Sequence, residues 1–195
     1  MVKFLADKKK EIERLADEEK QKARRIDAYL NNIKLERKME SNVILKELPE
    51  VIVASMREVI PNYEEFNNFY PKMGKLMAKH GARCAVPEYC FTIYHDGEYR
   101  EKDIDVEICQ AVEERLPSAD GVSYKLIKAF PTAACILHKG PYSTIGKSYE
   151  AVFSWIEGNG YRIVDNPRES YIDGIWNKED PADWLTEIQV PIAKK

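Results

Sequence analysis

The second half of this 195-residue chain restates its first half, and few folds can satisfy that constraint. Pro61-Asn62-Tyr63 matches Pro141-Tyr142, Gly81 matches Gly160, Arg83 matches Arg162, Pro87 matches Pro167 and Glu107-Ile108 matches Glu187-Ile188, all about 80 residues apart. Short β-branched and aromatic runs predict strands near 43–48 and 51–59, a helix over 63–80 kinked at Pro71, and strands near 89–95 and 104–111. The pattern then begins again, with strands near 123–129 and 132–139, a helix over 142–158 and strands near 168–174 and 184–192. A glycine follows each helix, where a left-handed residue closes the last turn, and a proline stands where a strand begins. The expected fold class is α+β: a duplicated strand-helix-strand-strand module with pseudo-twofold symmetry and a central cleft.

Residues 3–40 differ from the rest, having no Gly and no Pro, with charges that alternate in sign along helix-forming sequence. They predict one long helix, giving two domains, 1–41 and 42–195. Leu5, Ile12, Leu15, Ala16, Ala23, Ile26, Leu30 and Ile33 approximate a seven-residue recurrence broken by Glu19 and Lys22. So narrow a stripe buries little until it is paired, so a homodimer through residues 3–39 is expected.

Composition removes several classes. Thirty Lys+Arg against 33 Asp+Glu leaves no concentrated basic face for phosphate, and 44% hydrophobic residues exclude a disordered chain. No apolar run reaches the length of a membrane span and the first residues lack a signal-peptide core, so a cytoplasmic protein without membrane contact is expected. Cys84, Cys90, Cys109 and Cys135 form no CxxC pair and do not cluster with His80, His95 or His138, so no metal, disulfide or cofactor is expected; the thiols read as buried apolar groups. There is no GxSxG elbow, P-loop or GxGxxG, and His138 reads as a structural histidine at a strand end.

Strand alternation supplies a candidate site. In the last strand Thr186, Ile188, Val190 and Ile192 alternate with Glu187 and Gln189; Glu169, Tyr171 and Asp173 share one face of the preceding strand. In the first half Tyr89, Phe91 and Ile93 share a face, as do Glu107, Cys109 and Ala111. Pseudo-symmetry would bring these sets together as a surface lined by Tyr89, Phe91 and Tyr171, holding Glu107, Glu169 and Glu187, with Trp176, Trp184 and Tyr142 at its mouth. Aromatic walls with carboxylates suit a flat apolar cation. The alternative is that these acids are solvated on an exposed sheet face.

His138-Lys139-Gly140-Pro141-Tyr142, Trp155-Ile156, Asn159-Gly160-Tyr161, Asn166-Pro167-Arg168-Glu169-Ser170-Tyr171 and Leu185-Thr186-Glu187-Ile188-Gln189-Val190-Pro191-Ile192 together resemble the GyrI-like effector-binding domain over roughly 42–195. The helix through Lys10-Glu11-Ile12-Glu13-Arg14-Leu15 is similar to the dimerising linker helix of MerR-family transcription regulators. The resemblance implies a cleft for drug-like, often cationic amphipathic molecules, with Glu169 as the pocket glutamate, Tyr171 facing the same pocket and Glu187 at a second acidic position. DNA contact is expected only through a helix-turn-helix module, which this chain lacks. The leading expectation is the ligand-sensing module of a transcription regulator. The alternatives are a GyrI-like hydrolase of reactive cyclopropane compounds, using Glu169, Glu187 and Tyr171, and a toxin-sequestering binding protein.

Overall fold

The computed structural model describes residues 1, 8–17, 19, 20, 22, 24, 26, 30 and 42–195. They fall into two units, 1–41 and 42–195. In the first, residues 8–17 are helical, laced by a Lys8–Glu11 ion pair of 2.7 Å and a longer Lys9–Glu13 contact of 3.6 Å. Ile12, Leu15, Ile26 and Leu30 are exposed. Residues 19, 20, 22, 24, 26 and 30 are helical as well, and the other residues of the helix expected over 3–40, Leu5, Ala23 and Ile33 of its stripe among them, lie outside the described residues.

The second unit is α+β, a curled antiparallel half-barrel sheet with helices on one face. Its strands are β1 (Ile44–Leu48), β2 (Val51–Ile60), β3 (Cys90–Tyr94), β4 (Ile104–Ala111), β5 (Ser123–Ile127), β6 (Phe130–Lys139), β7 (Tyr161–Ile163), β8 (Arg168–Asp173) and β9 (Leu185–Lys194); the helices are α1 (Phe66–Lys79) and α2 (Gly146–Gly158). Strand order is β1-β6-β9-β8-β3-β4-β2-β5, with β7 added on β9. The two four-strand ends of the sheet therefore meet only where β3 pairs β8, over Phe91↔Ser170, Thr92↔Glu169 and Ile93↔Arg168.

Local chemistry explains the helices. The Asn62 side chain accepts from the Glu64 amide at 2.9 Å, opening a short 3-10 turn that runs into α1. Phe69, Met73 and Met77, spaced by one helical turn, bury the α1 face against Met56, Ile60, Val106, Ile108 and Tyr124 of the sheet. The helix continues through Pro71, and Gly81, at φ 72°, closes it, with the Ala82 amide donating back to the Met77 carbonyl at 3.0 Å.

α2 buries Ser148, Ala151, Val152 and Ile156, leaves Phe153 exposed and turns Tyr149 toward the sheet. Two expectations need correction. Cys84 is exposed and Cys90 half-buried; only Cys109 and Cys135 are buried. β9 does not divide into a core face and an outer face: Thr186 through Ile192 are all buried, because helices cover one face and the curl of the sheet covers the other. The short strand β7 carried too few residues to signal itself in the sequence.

Candidate functional site

Strand register decides which side chains can meet. Thr92 stands opposite Glu169, which stands opposite Ile188; Tyr171 stands opposite Thr186, and Tyr94 opposite Val106. In paired strands opposed residues share a face, so Thr92, Tyr94, Glu169 and Tyr171 all lie on the helix-bearing side. Phe91, Ile93, Glu107, Cys109, Arg168, Ser170, Glu187 and Gln189 lie on the other.

On the helix side, Glu169 is 6% exposed and wrapped by phenols. Tyr94 Oη donates to its Oε2 at 3.0 Å and Tyr149 Oη, from α2, to its Oε1 at 3.0 Å; Tyr171 Oη lies 3.2 Å from Oε2. The side-chain hydrogen-bond partners that surround it are all phenols. A carboxylate offers about four acceptor positions, so three phenols leave one open. Burial pushes the Glu169 carboxyl above its ordinary range, and the three hydrogen bonds only partly pull it back. Burial and the neighbouring carboxylate push Tyr94, Tyr149 and Tyr171 well above 10, so these phenols remain donors at neutral pH.

Further rings enclose this centre. Tyr171 meets Tyr70 of α1 at 6.0 Å and Tyr142 at 6.0 Å, both edge-on, and Trp176 at 6.3 Å. Tyr142 packs on Trp184 at 5.0 Å. Burial pushes Tyr63 and Tyr142 up to about 12, with Glu169 adding to both. The arrangement is an anionic point in an apolar, aromatic surround, complementary to an organic cation.

Of the residues expected to line one surface, the structure thus brings Glu169, Tyr171, Tyr142 and Trp176 together. Tyr89, Phe91, Glu107 and Glu187 stand on the opposite face of the sheet, so the expected convergence does not occur. There the acids are already neutralised: Lys46 Nζ sits 2.7 Å from Glu187 Oε2, and Lys125 Nζ sits 2.5 Å from Glu107 Oε1. Burial opposes ionisation of Glu107, but bonds from Lys125 and Ser55 outweigh it and hold its carboxyl below the usual range. Tyr89 Oη donates to Gln189 Oε1 at 2.6 Å, and the Arg168 guanidinium lies between the rings of Phe91 and Phe130, at 5.3 and 5.1 Å. His138 is buried at the end of β6, with Nε2 3.2 Å from the Pro141 carbonyl and Nδ1 3.0 Å from Ser148 Oγ.

Sequence reasoning missed Tyr94, Tyr149 and Tyr70. Tyr94 and Thr92 have the same strand parity, which is the signal that would have placed them together once the β3–β8 register was known. Among the described residues no group of His, Cys, Asp and Glu has metal-binding geometry, and no helix is long and apolar enough to cross a membrane.

Residues 41–193 match the GyrI-like family, described as a small molecule binding domain. The crystal structure of the EcmrR C-terminal domain is 44% identical, covering 78% of this chain and 98% of that one, with a TM-score of 0.75. EcmrR in the EcmrR-DNA complex of EcmrR-RPo is 43% identical, with a TM-score of 0.77 over 88% of this chain. This chain spans only 64% of the length of that one. A hydrolase encoded by lin2189 from Listeria innocua shares the fold at 15% identity and a TM-score of 0.55, covering 78% of this chain and 92% of its own. No curated protein sequence matches the chain.

Proposed function

Because the chain belongs to the GyrI-like family of small molecule binding domains, we propose that it is the cytoplasmic effector-binding module of a MerR-type transcription regulator, and that its effector is an amphipathic aromatic cation held at Glu169. One observation carries the ligand class: a buried carboxylate, solvated by three phenols, retains an open acceptor position. A buried anion in low dielectric is costly unless a counter-ion completes it, and an organic cation supplies that charge with little desolvation of its own. Tyr142 and Trp176 extend the apolar surround.

The duplicated-module reading belongs to the same proposal. Exchanging β1 with β5, β2 with β6, β3 with β8 and β4 with β9 reverses the strand order onto itself, which supports a pseudo-twofold between Thr92 and Glu169. The two Lys–Glu pairs, Lys125–Glu107 and Lys46–Glu187, occupy equivalent register positions under that exchange. A dimer through residues 3–39 is supported by the exposed Ile12, Leu15, Ile26 and Leu30. The match to DNA-bound EcmrR covers 88% of this chain, more than residues 42–195 alone supply, which supports the leading helix as a link to a DNA-binding unit. Occupancy would bias how the paired helices sit.

The test is titration of wild type and Glu169→Gln with a panel of aromatic cations and cyclopropane-bearing compounds, with mass detection of products. Saturable binding of unaltered cations, weakened in the variant, is the expected result. Catalytic accumulation of product would replace the sensor with a hydrolase, and binding indifferent to Glu169 would displace the site.

A further inference from the structure

Arg168 and Glu169 are consecutive in β8 and therefore turn to opposite faces of the sheet. Glu169 lies under the helices, whereas Arg168 lies on the helix-free face, opposite Gln189 of β9 and Ile93 of β3. Arg168 is 3% exposed, and its Nη1 is buried without a hydrogen-bond partner. A buried cation is costly unless an anion or a set of acceptors completes it, so that atom calls for an explanation.

Among the described residues, the neighbouring acceptors on this face are already engaged. Lys46 holds Glu187 and Lys125 holds Glu107. Gln189 donates through Nε2 to Glu187 Oε2 at 2.7 Å and accepts through Oε1 from Tyr89 Oη at 2.6 Å. Burial pushes the Tyr89 phenol up and the nearby Arg168 guanidinium pulls it partly back. The guanidinium otherwise meets rings, Phe91 at 5.3 Å and Phe130 at 5.1 Å. Phe91 belongs to one apolar cluster, with Val53 and Cys109, and Phe130 packs on another, with Leu48 and Cys135, so Arg168 stands between two apolar patches. Ring contacts use the faces of a guanidinium and leave its in-plane N–H edge for a planar acceptor.

We propose that the helix-free face holds a second ligand site, for an organic carboxylate with a flat apolar body, its carboxylate on Arg168 Nη1 and its body against Phe91 and Phe130. A carboxylate matches the edge of a guanidinium with two parallel hydrogen bonds, and an apolar body replaces water against the rings. Phe130 is the movable cover: it is half-buried at the start of β6, directly after the exposed turn Lys128-Ala129, whereas Phe91 is fully buried within β3. Turning the Phe130 ring outward opens the way to Nη1. Two consecutive residues of one strand thus present a negative centre to one face and a positive centre to the other, and the second face takes acids.

The test titrates the full chain with 1-naphthoate and with 1-naphthylmethanol, the same rings without the charge, by calorimetry and by the shifts of backbone amides in NMR. The expected result is saturable binding of the acid, about ten-fold tighter than the alcohol, with the largest shifts at Phe91, Ile93 and Phe130. Arg168→Gln should weaken the acid about ten-fold and leave the alcohol unchanged, with thermal unfolding reporting whether the variant is folded. If it is not, the shifts in the wild-type protein decide alone. The inference is overturned by any of four results: no saturable binding of the acid, equal binding of acid and alcohol, unchanged affinity in a folded Arg168→Gln, or shifts centred on Tyr94, Tyr149 and Tyr171.

Discussion

Thr92 and Glu169 face each other across β3 and β8, and the Tyr171 hydroxyl lies 3.1 Å from the first and 3.2 Å from the second. Tyr171 Oη is the donor at both contacts, so its one proton is shared between Thr92 Oγ1 and Glu169 Oε2. Thr92 Oγ1 in turn lies 2.7 Å from Tyr70 Oη. A line of hydroxyls thus connects α1 to the buried carboxylate.

Glu169→Gln is expected to raise stability at neutral pH while removing cation affinity. The folded-state carboxyl is raised by burial, so its ionised form opposes folding above the ordinary carboxylate range, by about 1.4 kcal/mol per pKa unit. The gain should shrink as pH falls and Glu169 takes up its own proton. Thermal melts of both proteins between pH 4 and pH 7.5 measure this, and a variant less stable at pH 7.5 would contradict it.

Cation affinity should fall with acidification, through the raised Glu169 carboxyl and therefore above the usual carboxylate range, with no matching loss up to pH 9 because the surrounding phenols are all pushed upward. Tyr149→Phe removes one donor to Oε1, which should move that acidic limb to higher pH and cost about 1–3 kcal/mol of stability. Calorimetric titrations across pH 5–9 follow both.

Lys125→Ala should destabilise the fold by about 1–3 kcal/mol, because it removes the ammonium from a buried carboxylate and leaves Glu107 only Ser55 and, at 3.3 Å, His95 Nε2. The Glu107 carboxyl is held low in the folded state, so its pairing stabilises above the ordinary carboxylate pKa and is lost as pH falls through the lowered one. Glu107→Gln and Glu187→Gln should leave cation affinity within about two-fold of wild type, since a single charge removed on the far face of the sheet acts only weakly at Glu169. A ten-fold loss in either would return that face to the binding site.

Ile12→Lys combined with Leu15→Lys should shift the protein from dimer to monomer in sedimentation equilibrium, because both side chains are exposed on the same helical stretch. The domain's thermal transition should persist. A dimer of unchanged strength would place the pairing surface elsewhere.

Much of this was legible in the chain. β4 lies at 104–111 as alternation predicts, and both helices end at the left-handed glycines Gly81 and Gly160. Within single strands the residue sets were also right: Glu169 with Tyr171, Tyr89 with Phe91, Glu107 with Cys109. What alternation cannot supply is the register between strands. Pseudo-symmetry alone puts the face of Tyr89 and Phe91 with that of Glu169 and Tyr171, whereas pairing sets Thr92 opposite Glu169, and one residue of slip turns every side chain of a strand to the other face. Tyr149 was hidden differently, because on a helix its ring reads as core while its hydroxyl does the polar work.

The ends of the sheet touch across three residue pairs, and the middle pair carries Glu169. Donors to that carboxylate come from both sides of the join: Tyr94 from one end, Tyr149 and Tyr171 from the other. The carboxylate therefore does what the three-pair ladder does, fastening one half of the sheet to the other, and a single side chain serves as both strand partner and rivet.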